Sequence, residues 1–143
     1  MVRMLAAACV ALTCATSCAP LTFSKEEAID YSDYPTVRVE VWIGSYENQD
    51  AAQYLVEELQ ESSGFDEIVF GPRMASDAVL IVDVWVTQVD EDKFESSASY
   101  ELIDSQRRLV DRGEVDDESV SAREAVEDVL DEVALHYHRP YRI

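Results

Sequence analysis

Between Asp77 and Val115 the chain alternates apolar and polar residues in three consecutive runs, and no other stretch limits the possible folds as strongly. In Asp77–Val89, Leu80, Val82, Val84 and Val86 point one way, while Val79, Ile81, Asp83, Trp85 and Thr87 point the other. Phe94–Ile103 sets Phe94, Ala98, Tyr100 and Leu102 on one side, and Arg107–Val115 continues the pattern. A period of two is the mark of a strand. The connections, Asp90-Glu91-Asp92-Lys93 and Asp104-Ser105-Gln106, are too short for anything but antiparallel neighbours. Such a sheet has one strongly apolar face, and something must cover it.

The remaining patterns supply the cover. Thr36–Ile43 reads as a strand, with Val37, Val39, Val41 and Ile43 against Arg38, Glu40 and Trp42. Asp50–Ser63 reads as a helix whose buried stripe is Ala51, Ala52, Leu55, Val56 and Leu59. Asp50 suits its N-cap, with Gln53 at the reciprocal position. Gly64 is expected to end it in a left-handed conformation, with Phe65 folding back on the last turn. Asp66–Phe70 is a short strand stopped by Gly71-Pro72. A second helix opens on the capping box Ser121/Glu124 and carries Ala122, Ala125, Val126, Val129, Leu130, Val133, Ala134 and Tyr137 at helical spacing. The order β-α-β-β-β-β-α predicts an α+β fold over residues 36–138. It is a two-layer sandwich with a mostly antiparallel five-stranded sheet and two helices on one face. Residues 139–143 form a tail.

The first 35 residues obey different rules. Arg3 and the terminal amine precede an apolar run, Met4–Leu12, that is far shorter than the ~20 residues a bilayer span needs. Small residues then lead to Ala15-Thr16-Ser17-Cys18, which resembles a lipobox with Ala15 where Leu is usual. Residues 1–17 are therefore expected to be a lipoprotein signal peptide and Cys18 the lipid-attachment residue, carrying acyl chains such as palmitate. Cys14 is a weaker rival. Cleavage before Cys18 removes Cys9 and Cys14, leaving a folded part without thiols or disulfides. By analogy with Gram-negative lipoproteins, Ala19 after the cysteine implies the outer membrane, facing the periplasm. Residues 18–35 then form a lipidated tether. Leu21, Phe23, Ile29, Tyr31 and Tyr34 are too apolar for a pure spacer, so part of it is expected to dock on the domain.

With 30 Asp and Glu against 11 Lys and Arg, the formal net charge is −19. Such a surface repels phosphate backbones, which excludes nucleic acid and points to basic, cationic or apolar partners. An adaptation to salty surroundings explains the same numbers. No catalytic motif stands out: there is no nucleophile elbow, zinc-helix signature or P-loop. No enzymatic activity, cofactor or metal is expected. His136 and His138 are two apart and do not share a helix face. The acidic turns Asp90-Glu91-Asp92 and Asp116-Asp117-Glu118 lack an EF-hand spacing.

Parity places Trp42 and Trp85 on the sheet face that the helices leave open, with Val79 and Ile81 beside Trp85. An apolar patch of this kind is a candidate partner surface. The tether, a second copy or another protein are its possible occupants.

Three places resemble a broad group of small envelope lipoproteins and modules. The group includes the TolB amino-terminal domain, the curli-secretion lipoprotein and the penicillin-binding-protein activators. These places are Gly64-Phe65 after the first helix, Ser76-Asp77-Ala78-Val79-Leu80-Ile81-Val82 leading into the long strand, and the strand pair Tyr100–Val110 turning at Asp104. Ser105-Gln106-Arg107 stands where that group has Thr-Gly. The likeness spans about residues 36–137. It implies a lipid-anchored, non-enzymatic envelope protein that scaffolds or modulates an assembly by protein–protein contact. A lipid or small-molecule carrier in an envelope transport system is the alternative.

Overall fold

The structure, a computed structural model, describes residues 29–138. The expected signal peptide (1–17), Cys18, the tether up to residue 28 and the tail at 139–143 lie outside the described residues. No described helix is long and apolar enough to cross a membrane.

Strand β1 (Thr36–Ile43) lies inside the sheet. Helix α1 (Gln49–Ser62) carries the chain over to β3 (Glu67–Phe70), which returns parallel to β1 from Thr36↔Glu67 to Val39↔Phe70. On the other side β4 (Ala78–Asp90) also runs parallel to β1, from Val37↔Ala78 to Ile43↔Val84. Then β5 (Lys93–Asp104) and β6 (Leu109–Ser119) follow as the expected antiparallel meander. Helix α2 (Ala122–His136) closes the fold. This is the predicted α+β architecture, with one strand more than expected. Tyr46–Glu47 (β2) folds back antiparallel on the end of β1, pairing Ile43↔Tyr46 and Trp42↔Glu47. Two residues are too few to show a period, and Gly44 makes the reversal at φ +63°.

One apolar layer joins the two levels. Val37, Val39 and Val41 of β1, Leu80, Val82 and Val84 of β4, and Ala98, Tyr100 and Leu102 of β5 are buried beneath the helices. Helix α1 meets them with Leu55, Val56 and Leu59, and α2 with Val129, Leu130 and Val133. Each large member contributes about 1.5–3 kcal/mol by leaving water. Ala122 is exposed, at the very start of α2.

Two helix-end expectations need correction. The N-cap of α1 is Asn48, whose Oδ1 accepts from the Ala51 amide at 2.9 Å. Asp50 sits one step inside, in the first turn, where its carboxylate faces the positive end of the helix dipole. Gly64 is not left-handed. It is needed because a Cβ there would come within 2.5 Å of the Tyr31 ring. At α2, the Ser121 hydroxyl accepts from the Glu124 amide at 3.2 Å, as the capping pattern predicts.

Ile29, Tyr31 and Tyr34 pack against the core, so the ordered domain begins before residue 36. Tyr31 stands edge-on to Phe65 with centroids 4.8 Å apart, and its hydroxyl donates to the Tyr137 carbonyl at 3.1 Å.

Candidate functional site: the uncovered sheet face

Both helices lie over one side of the sheet, and no described element covers the other. The strand registers set out what that face presents. Along β1, the Trp42 indole N–H donates to Glu40 Oε1 at 2.7 Å, and Glu40 Oε2 accepts from Arg38 Nη1 at 3.2 Å. Val79 lies next to Arg38 and Ile81 next to Glu40 across the β1–β4 pair. Trp42, Val79 and Ile81 are all half-buried, with Trp42 held by its hydrogen bond. Trp85 is different, being 55% exposed.

The surroundings of Trp85 come from β5 and β6. One cross-strand row reads Trp85, Ser97, Asp116, and the next reads Thr87, Glu95, Glu118. Together they line an open groove of about 620 Å³ with Trp85 on one side and Glu95, Asp116 and Glu118 on the other. Here the sequence expectation fails in an instructive way. Asp116-Asp117-Glu118 is not a turn but the last part of β6, which runs to Ser119. The backbone ladder to Ser97, Ser96 and Glu95 keeps these residues extended despite their charge. Carrying the period of two past Val115 would have placed Asp116 and Glu118 on the tryptophan face.

The groove is strongly acidic. Among the described residues its one ion pair is Lys93 Nζ to Glu118 Oε1 at 3.4 Å, between exposed groups that gain little. Around the β6 edge, Glu132 of α2 has its carboxyl pushed up by desolvation and then by the charges of Asp117, Asp128 and Asp116. Asp128 is held by a short hydrogen bond from the Ser119 hydroxyl.

Two other clusters lie away from this face. Between the amino-terminal ends of the helices, Ile43, Ala51, Tyr54, Val126 and Leu130 line a cleft of about 490 Å³, where the Tyr54 hydroxyl donates to Asp131 Oδ1 at 2.8 Å. At the opposite end, Tyr31, Phe65, Tyr100, His136 and Tyr137 form a ring cluster. There desolvation, with the Asp111 charge next, pushes the Tyr100 hydroxyl up to about 12. The Tyr137 hydroxyl is buried without a hydrogen bond of good geometry, and burial raises it furthest. His136 Nε2 meets Asp111 Oδ2 at 2.8 Å. Among the described residues no group of three His, Cys, Asp or Glu is arranged to hold a metal ion.

The tether's described part does not reach the tryptophans. It docks at the Gly64–Tyr137 end, while Trp85 lies seven residues along β4 from the strand's start. The cross-strand geometry thus brings Trp42, Val79, Ile81 and Trp85 to one face, as parity predicts, and only Trp85 is open.

No family model matches the chain, nor does any curated protein sequence. Solved structures do match its fold. A single-substitution variant of PelC from Paraburkholderia phytofirmans, a dodecamer, superposes with a TM-score of 0.62 at 15% identity, over 82% of this chain and 95% of that one. A second PelC dodecamer from the same organism gives 0.59 at 15% identity, over 81% and 95%. At this identity the likeness concerns the fold.

Proposed function

We propose that this chain is a lipid-anchored, non-enzymatic envelope protein that scaffolds or modulates a cell-envelope assembly by protein–protein contact, with further copies of itself among its partners. The observation that carries the reading is Trp85, more than half exposed in an acidic groove on an uncovered sheet face. A large aromatic kept at the surface is typical of a contact surface. The lipobox-like Ala15-Thr16-Ser17-Cys18 favours attachment to a membrane, and the dodecameric PelC fold neighbours favour self-association. In a Gram-negative host, Ala19 favours the outer membrane.

The test has two parts. The full chain is expressed in a Gram-negative host fed an alkyne-bearing palmitate, alone and as Cys18→Ser. Label on the parent that vanishes in the variant is expected, and an unlabelled parent refutes the anchor. Detergent-extracted protein is then sized by mass photometry. Assemblies larger than a monomer are expected, and a monomer at every concentration refutes self-association.

The carrier alternative draws on the apolar cleft between the helices. Lipid retained in native mass spectra of the purified protein, and lost in Val126→Trp, would favour it.

A further inference from the structure

The Trp85 groove has a specific requirement. A contact between copies of a chain with net charge −19 must bring a cation to whichever surface meets these carboxylates. Seven Lys and Arg lie among the described residues: Arg38, Arg73, Lys93, Arg107, Arg108, Arg112 and Arg123. Four of them are already held in ion pairs, with Glu40, Glu118, Asp104 and Glu127. Arg73, Arg107 and Arg112 lie within a few residues of Asp77, Asp104, Asp111 and Glu114. Residues 133–142, in contrast, hold no acid, and Arg139-Pro140-Tyr141-Arg142 puts two guanidinium groups into four residues.

We infer that residues 139–142 of one copy occupy the Trp85 groove of the next, an assignment that rests on the self-association proposed above. An arginine stacks on an exposed indole and bonds carboxylates in pairs, so one side chain satisfies both features of the groove. Length makes the contact intermolecular. Helix α2 starts three residues after Ser119, so the groove, which Asp116 and Glu118 line, lies towards its amino-terminal end. The helix's 15 residues carry the chain about 22 Å away. Arg142 lies four residues beyond His138, so its Cα reaches back about 14 Å at most and its side chain adds about 7 Å, still short of that distance before the sheet is crossed. Its own groove, on the far side of the sheet, is out of range. Tail and groove are different surfaces, so the contact is head-to-tail and repeats from copy to copy, closing into a ring or extending into a filament.

Charge reversal and rescue test this on the full detergent-extracted chain by sedimentation velocity. Arg139→Glu with Arg142→Glu should weaken self-affinity by about 100-fold or more, given two charge-assisted contacts. Glu95→Lys with Asp116→Lys should do the same, and the four changes together should restore assembly. A peptide of residues 136–142 should compete with the parent and change its tryptophan emission. If the tail variant still assembles like the parent, the inference falls while self-association stands. If the tail matters and the groove variant assembles normally, the groove is not the acceptor. A parent that never assembles overturns both readings. Unchanged melting curves show that the variants, all at surface or tail positions, remain folded.

Discussion

Gly64 and Tyr31 are far apart in sequence, and the fold makes each depend on the other. A Cβ on Gly64 would stand 2.5, 2.6 and 2.8 Å from three atoms of the Tyr31 ring. No carbon pair tolerates such distances, so Gly64→Ala must expel the ring. The backbone at Gly64 is not left-handed, so alanine itself is acceptable there. What is lost is the docking of Tyr31: its edge contact with Phe65, about 0.5–1.5 kcal/mol, and its hydrogen bond to the Tyr137 carbonyl, about 0.5–1.5 kcal/mol. Tyr31→Ala should therefore cost about 1–3 kcal/mol, and Gly64→Ala nearly as much.

The double variant separates this account from any other. With the ring gone, the three closest contacts of the added methyl are removed, and alanine restricts the unfolded chain relative to glycine. Gly64→Ala in the Tyr31→Ala background should then be neutral or stabilising by up to about 0.4–1 kcal/mol. The expected coupling is about 1–3 kcal/mol, well above the ~0.5 kcal/mol scatter of independent sites. Urea unfolding of the four proteins, followed by circular dichroism, measures it. Limited proteolysis adds a second readout, since cleavage between Ile29 and Pro35 should speed up in both single variants. Additive costs, or a Gly64→Ala protein as stable as the parent, would refute the reasoning.

Arg107 takes the left-handed position of the β5–β6 turn at φ +62°, where a side chain costs about 1–2 kcal/mol. Part of this gain is offset by glycine's entropy, so Arg107→Gly should raise stability by about 0.5–1 kcal/mol in thermal unfolding. Asp104 accepts from the Arg108 and Gln106 amides at 2.9 Å each and from Arg108 Nε at 3.0 Å. The Arg108 amide above all holds its carboxyl below the usual range. Its stabilisation is present above the unfolded-state value and lost as pH falls through the lower folded value. Asp104→Asn should thus melt lower at neutral pH, with the gap closing in strong acid. Glu132 has the opposite sign: its raised carboxyl favours the fold in acid, and that benefit is lost as pH rises through the folded value. Glu132→Gln should melt higher than the parent at neutral pH and no higher in acid. Added salt should raise the parent's melting temperature by screening a net charge of −19, and a flat response would contradict the self-repulsion argument.

Legibility followed the length and purity of each pattern. The β4–β5–β6 meander and the α2 stripe span ten or more residues of consistent period, so both could be read directly. Strand β2 could not, because its two residues owe their pairing to Gly44 and the end of β1 rather than to their own character. Gly64 looked like a helix stop, since a glycine after a helix has the same signature whether it supplies a positive φ or an empty space. Only the position of Tyr31, 33 residues earlier, distinguishes the two. At Arg107 the missing glycine was visible, but its strained backbone was not.

The acidic run Asp116-Asp117-Glu118 misled for a physical reason that also explains its place. Composition alone argues for a solvated turn, because charged residues are poor strand formers. In a sheet, however, β6 is the last strand of the meander, and its outer edge pairs with no described strand. An 11-residue free edge invites pairing with another chain, and negative charge along it opposes that between identical copies. The same carboxylates that forbid edge-to-edge pairing of two β6 strands surround Trp85 and favour a cation there. Repulsion at the edge and attraction in the groove thus come from one stretch of chain. A contact between copies that uses this stretch has to be asymmetric, with the acidic groove on one side and a basic segment on the other.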